Sequence, residues 1–455
     1  MMQTAMRWEQ LLSNKRLGQE GLPQRKDDRT EFQRDYDRLI FSAPFRRLQN
    51  KTQVFPLPGS IFVHNRLTHS LEVSSVGRSL GNDVSRLILE RRPELYSTHF
   101  TELGSIVSAA CLAHDLGNPP FGHSGEKAIG TYFSEGGGLF LKDYLCEETG
   151  DRITPEQWED LTHFEGNANA FRLLTHHFCG RRKGGFVMTY STLASIVKYP
   201  FSSGLAGTKH KFGFFQSEIP DYQRIAAELG IPQLPSPDGT IRYARYPLVY
   251  LVEAADDICY QIMDIEDAHK LKILTTEEVQ RLFLAYFDTE RQERIQMRMD
   301  TLDDVNEKIV YLRSCVINRL EQECVKVFVD NEEAILNGTF EGTLIKHISE
   351  TPRLAYEACE RTAHAKVYHC KEVVDIEIAG YKVMMTLVDL MVHAVTHSDR
   401  AFSQLLINRV SSQYDILAPT LYERMLAVLD YISGMTDVFA LDLYRNINGM
   451  ALPNV

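Results

Sequence analysis

The stretch Ala113-His114-Asp115-Leu116-Gly117-Asn118-Pro119-Pro120-Phe121-Gly122-His123-Ser124-Gly125-Glu126 concentrates chemistry in this chain. Two imidazoles, His114 and His123, and two carboxylates, Asp115 and Glu126, surround a Gly/Pro-rich turn. Imidazole nitrogens bind metal or move protons near neutral pH, and carboxylates add hard oxygen ligands or proton acceptors. The His-Asp pair follows the apolar run Ile106 to Leu112, so a helix end can hold one ion while the turn returns a second histidine over it. That is a hydrolytic site in outline.

Two distant segments complete the outline. His69, in Arg66-Leu67-Thr68-His69, opens a helical pattern through Val73, Val76, Leu80 and Val84. Asp256, Tyr260 and Asp264 recur every fourth residue and so share one stripe of a helix. His69, His114, Asp115 and Asp256 make a donor set suited to a divalent metal, and mixed N/O ligation leaves Mg, Mn, Fe, Co, Ni and Zn all open. Asp257 is the rival to Asp256, but it is rotated by about 100° from the face of Tyr260 and Asp264. Arg66, just before His69, would lie near the metal and reach phosphate, and Asn118 can donate an amide hydrogen bond to a phosphate oxygen. Arg46, Arg47 and Lys51 form one basic cluster; Lys198 and the run Lys209-His210-Lys211 add two more. His123 and Glu126 sit one turn apart at an expected helix start. There the helix dipole disfavours imidazolium and the carboxylate favours it, which leaves His123 near neutrality, as proton transfer requires. The bland alternative is that His123 only caps the turn.

His, then His-Asp, then a distant Asp resembles the HD superfamily of metal-dependent phosphohydrolases. The signature turn itself, with Arg47-Leu48-Gln49-Asn50-Lys51-Thr52-Gln53-Val54, Phe164-Glu165-Gly166-Asn167-Ala168, Glu253-Ala254-Ala255-Asp256-Asp257-Ile258 and Asp430-Tyr431-Ile432-Ser433-Gly434-Met435-Thr436-Asp437, is similar to the bacterial deoxyguanosine triphosphate triphosphohydrolase family. The resemblance implies hydrolysis of a deoxynucleoside triphosphate, dGTP favoured, to the deoxynucleoside and intact tripolyphosphate, with Mg or Mn in support. It implies catalysis by His123 and Glu126 and phosphate contacts from Lys198 and Lys211. It also places Gln53, beside Val54, and Asp264 on the sugar 3′-hydroxyl, and the Tyr260 ring against the deoxyribose. A homo-oligomer, hexamer or tetramer, and a nucleotide or single-stranded DNA effector are further implications. Two other readings compete: an HD phosphodiesterase or guanosine-polyphosphate hydrolase, and a catalytically silent nucleotide- or DNA-responsive regulator.

The elements that must position these residues are helical, because sustained two-residue alternation is rare. Helices are expected over Arg29–Ser42, Thr68–Arg91, Leu103–His114, Ser124–Phe133, Asn167–Thr175, Pro247–Ala268, Thr276–Tyr286, Val305–Phe328, Lys371–Thr396, Ala401–Ile407 and Thr420–Ser433. Breakers fall at 56–59, 136–138, 184–185 and 232–239. A small hairpin near Thr339–Ile345 or Ile376–Tyr381 also fits the local pattern. The breaker at 232–239 separates the first HD elements from the Asp256 helix, so both sides of it must supply one site. The expected organisation is one mainly α unit over 1–455, with an HD core at 60–270 and a C-terminal helical region at 271–455 packed on it.

The chain's 455 residues can bury a large core, and its 44% hydrophobic and 24% charged content is that of a globular protein. A formal net charge of −12 argues against a general nucleic-acid coat, while leaving room for a local basic pocket. The eight cysteines are scattered without a C-x-x-C pair, which favours buried free thiols in a reducing cytoplasm. The N-terminus carries no apolar signal segment. The most apolar stretch, Tyr381–Thr396, is interrupted by Lys382, Asp389 and His393, so no membrane span is expected.

Overall fold

The computed structural model describes residues 5–20, 28–55, 63–146, 148, 150–236 and 239–451. The expected breaker at 56–59, and part of the one at 232–239, lie outside these residues. The described residues are mainly α, with isolated bridges such as Thr52 to Asn65 and no named strand. The helices that position the site and its supports are α1 (Glu31–Ile40), α2 (Arg66–Arg91), α3 (Leu103–Ala113), α4 (Gly122–Ser134), α5 (Gly166–Thr175), α6 (Val249–Lys270), α7 (Val305–Asp330), α8 (Lys371–Thr396), α9 (Leu421–Ser433) and α10 (Asp437–Ile447).

Local chemistry sets their ends. Asn65 caps α2 by accepting from the Thr68 amide at 3.0 Å, and Thr68 answers with its hydroxyl, so the helix starts two residues before the expected Thr68. Thr420 and Glu423 form the same reciprocal cap on α9. Hairpins do not form at either expected place: Leu344–His347 is a 3-10 turn, and 376–381 lies inside α8. Leu344 and Ile345 are buried in the core by that turn, and the later turns of α8 are tied down by packing, which overrides local β preference.

Two apolar cores hold the chain. The first gathers Val73, Leu80, Val84, Ile106, Leu112, Ile258, Ile262 and Leu320, from α2, α3, α6 and α7. Gly81 lets α2 close on α3, since a Cβ there would lie 2.8 Å from the Gly104 backbone. The second core joins Ile129, Phe133, Leu161 and Phe164 to Met384, Leu387, Val388, Leu426 and Leu429, residues far apart in sequence. α8 is, by length and composition, apolar enough to cross a membrane; half of its most apolar window is buried inside this fold. Val383, Met384, Leu387, Val388, Met391 and Val392 supply that apolarity to the second core.

Candidate metal and substrate site

α3 ends at His114, α2 presents His69 from its first turn, and α6 brings Asp256 against both. His69 Nε2 is 3.2 Å and His114 Nε2 3.5 Å from Asp256 Oδ1, and the two rings lie 5.4 Å apart. Ligand atoms of His69, His114 and Asp115 all fall within 4.8 Å of one another. His114 Nδ1 donates to the Cys111 carbonyl at 2.6 Å, which fixes the tautomer and leaves Nε2 buried without a hydrogen-bond partner. That orphaned nitrogen faces two carboxylates. The geometry sets Asp256, not Asp257, against the imidazoles; Asp257 is half-buried, with its carbonyl accepting from Tyr356, and desolvation pushes its carboxyl up to about 8.

Charge is tightly paired here. Burial would raise the Asp115 carboxyl, but Arg66, whose Nη1 donates to it at 2.7 Å, outweighs burial with help from both histidines and holds it at about 2. Burial likewise opposes ionisation of Asp256; Lys198, donating at 2.7 Å, and His114 win and hold it well below the usual carboxylate range. His114 is raised against the cost of burial by Asp115 and then Asp256. Asn118 donates its amide to Asp115 and so orients that carboxylate.

These groups line a cavity of about 850 Å³. At its edge His123 Nδ1 lies 2.8 Å from Glu126 Oε2, with the ring otherwise exposed. Glu126 Oε1 accepts from the Gly166 amide at 2.8 Å, locking the carboxylate. The hydrogen bond to Glu126, then its charge, raises the His123 pKa above 6.5, so the carboxylate prevails over the expected helix-dipole opposition. Lys211 donates to Glu165 at 2.6 Å on the same wall. Gln53 and Val54 line the cavity, and Gln53 Oε1 is buried without a partner. The Tyr260 ring lies 6.3 Å from His69 and stacks on Tyr368 at 6.2 Å. Asp264 is not brought to the cavity wall: it is buried behind these rings, its Oδ2 accepts from the Tyr368 hydroxyl at 2.7 Å, and burial pushes its carboxyl up to about 8. The first basic cluster also misses the cavity: Arg46 is exposed, and Arg47 donates to the Gly434 carbonyl at 3.0 Å. Lys51, buried, donates to the Asn118 and Ser433 carbonyls at 2.5 and 2.7 Å.

Residues 66–185 match the HD domain family, and residues 347–446 match the phosphohydrolase-associated domain. A deoxyguanosinetriphosphate triphosphohydrolase-like protein of Pseudomonas aeruginosa (strain PAO1) is 38% identical over 460 residues, covering 99% of this chain and 100% of that protein. The chain belongs to the deoxyguanosinetriphosphate triphosphohydrolase family of the HD superfamily. A like-named protein of Synechocystis sp. (strain PCC 6803) is also 38% identical, covering 98% of this chain and all of that relative. The deoxyguanosinetriphosphate triphosphohydrolase of Yersinia enterocolitica is 30% identical, with 94% of this chain and 96% of its own length covered.

As a member of this family the protein is a metal-dependent nucleotide triphosphohydrolase. Its residues fit a divalent ion: two imidazoles, with His114 Nε2 buried and without a hydrogen-bond partner, and two carboxylates held ionised. The structure adds functional residues that the sequence reading passed over. Glu165 stands in a quoted motif and both caps α5, through the Asn167 and Ala168 amides, and anchors Lys211. Tyr368, Ile376 and Glu377 line the cavity without any motif to announce them. A π-helical turn at Ala363–Val367, common at functional sites, is the one local signal near Tyr368, and it is invisible in sequence.

Proposed function

We propose that this protein hydrolyses deoxynucleoside triphosphates, dGTP preferred, to the deoxynucleoside and tripolyphosphate. The observation that carries the reading is the His123–Glu126 pair set in the same cavity as His114, Asp115 and Asp256, the last in contact with His69, with Arg66, Lys198 and Lys211 also lining it. A divalent ion bound there supplies Lewis-acid polarisation of a phosphoryl oxygen. Arg66, Lys198 and Lys211 neutralise the triphosphate, and their present carboxylate partners are exchanged for phosphate oxygens. Water oxygen bonds to the α-phosphorus and releases a proton to solvent, the bond from phosphorus to the sugar 5′-oxygen breaks, and His123 delivers a proton to that oxygen and is reprotonated from solvent. Its raised pKa suits the donor role, and Glu126 orients the ring and stabilises the imidazolium. Gln53 Oε1 offers an unpaired acceptor to the 3′-hydroxyl, and the Tyr260 face lies along the sugar. Asp264 acts through Tyr368 rather than on the nucleotide directly. The names of the relatives support the choice of dGTP.

Incubation of purified protein with Mn and each dNTP, followed by chromatography, tests this reading. Tripolyphosphate with deoxyguanosine is the expected product pair. Release of pyrophosphate or single phosphates would move the protein to the phosphodiesterase or guanosine-polyphosphate hydrolase class. Assembly as a homo-oligomer and response to a nucleotide or single-stranded DNA effector belong to the same proposal, and light scattering with and without each ligand checks them.

A further inference from the structure

The segment Asp430–Asp437 supplies no side chain to the cavity wall, yet its polar groups end on the elements that do. Asp430 binds the Arg172 guanidinium of α5 at 2.8 Å, and the Ser433 carbonyl takes the buried Lys51 ammonium that also holds the Asn118 carbonyl. Asp437 goes further. Its Oδ2 accepts from the Thr52 amide at 2.8 Å and its Oδ1 from the Phe121 amide at 2.9 Å. Thr52 immediately precedes Gln53, and Phe121 stands two residues before His123. One carboxylate therefore ties together two loops of the cavity wall.

Phe121 needs such a tie. Its φ is +62°, a left-handed conformation that a bulky residue adopts only under constraint. Its ring is pressed on Gly380 of α8, where an added Cβ would lie 2.5 Å from Phe121 Cγ. We propose that Asp437 is a positioning residue for turnover, fixing the Gln53 loop and the His123 turn in register with each other. Both bonds are charge-assisted, about twice as strong as neutral ones, and each oxygen serves one loop alone. This inference rests on the roles proposed above for Gln53 and His123.

The test is a pair of double-mutant cycles on the metal-loaded protein. Asp437→Asn keeps the volume but turns one acceptor oxygen into a donor facing an amide N–H, releasing one loop. The expected result is full metal content, an unchanged circular dichroism spectrum, and a kcat lowered on the order of 10²-fold, as for a misplacement of about 1 Å. In a His123→Ala or Gln53→Ala background the same substitution is expected to add much less, because the group it positions has gone. Should the Asn protein not fold, Asp437→Glu, with both oxygens on a longer arm, carries the same cycles. Effects that multiply fully in both backgrounds, within about twofold, would show a general scaffold role and overturn the inference. Unchanged kcat in Asp437→Asn would overturn it as well. If His123→Ala and Gln53→Ala alone leave turnover intact, the reading of the site has failed first, and the inference falls with it.

Discussion

His69 and Asp256 stand on helices packed in the first core, and His114 and Asp115 on the turn that closes a third, each side chain held by at least one hydrogen bond. Across the cavity wall, Tyr368, Ile376 and Glu377 come from a π-helical turn and the opening turns of α8, where Ile378 is 65% exposed. Before Gly380 only Val373 of α8 is buried. The difference separates two demands. Metal ligation tolerates little displacement, and the four side chains proposed for it lie where packing restricts their rotamers. The wall proposed to meet the nucleoside draws on a stretch where fewer side chains are buried.

The contrast breaks most decisively at the metal. His69→Ala or Asp256→Ala is expected to remove bound metal and abolish turnover, whereas Asp257→Ala retains more metal than Asp256→Ala. Elemental analysis giving the reverse order would make Asp257 the ligand.

A smaller loss is expected at the proton-transfer pair. His123→Ala should bind metal and nucleotide normally but lose on the order of 10²–10⁴-fold in kcat. The raised His123 pKa means the acid form survives above 6.5 and is lost as pH climbs through the raised value. Glu126→Gln removes the largest cause of that shift, so the basic limb of the rate profile moves to lower pH. A limb that stays in place would take His123 out of the donor role.

The proposed sugar contact at Tyr260, on α6, should respond more gently. dGTP is expected to be cleaved far faster than GTP, because a 2′-hydroxyl meets the Tyr260 face without space or a partner. Tyr260→Ala should narrow that gap by about 10- to 100-fold, the scale of a reshaped apolar contact. Equal rates with dGTP and GTP in the unmodified protein would remove Tyr260 from sugar selection.

The smallest effect concerns support behind the metal wall. His64 lies 2.9 Å from Asp267 and 3.2 Å from Glu72, and these partners overcome burial to raise its pKa to about 10. A raised histidine stabilises fully below its unfolded value of 6.5 and loses that contribution as pH passes about 10. His64→Gln should cost about 1.5–3 kcal/mol near neutrality, the range for hydrogen bonds to charged groups, and almost nothing above that upper limit. Thermal melts across pH would show the two curves converging; parallel curves would discharge His64 as a neutral packing residue.

What could be read from the sequence follows the same divide. His114, Asp115, His123 and Glu126 are local in the chain, and helical spacing favours Asp256 over Asp257. The long helices α2, α6, α7 and α8 announce themselves by apolar periodicity. Thr289–Met299 did not, because only Ile295 and Met299 of its eleven residues are buried. Asp264 points the other way: its stripe with Tyr260 is real, but a tyrosine 104 residues downstream occupies its carboxylate. Lys51 belongs to a basic cluster by sequence, and burial against two carbonyls makes it a structural tie. Partners of that kind come from tertiary packing, which no local pattern encodes.

The carboxylate of Asp437 meets Thr52 across 385 residues of chain, and the second core joins residues near 130–165 to residues near 385–440. During synthesis, then, the loops carrying Gln53 and His123 emerge long before the segment that clasps them. The helices of the first core that carry His69 and Asp256 can assemble early, while Tyr368, Val373, Ile376 and Glu377 of the cavity wall, and the Asp437 tie, come only with the later stretches of polypeptide. Long-range closure of this kind is slow and comes late. A nascent or prematurely ended chain would thus carry the ligands for an ion without a finished chamber around them, and nucleotide destruction would begin only once the protein is essentially whole.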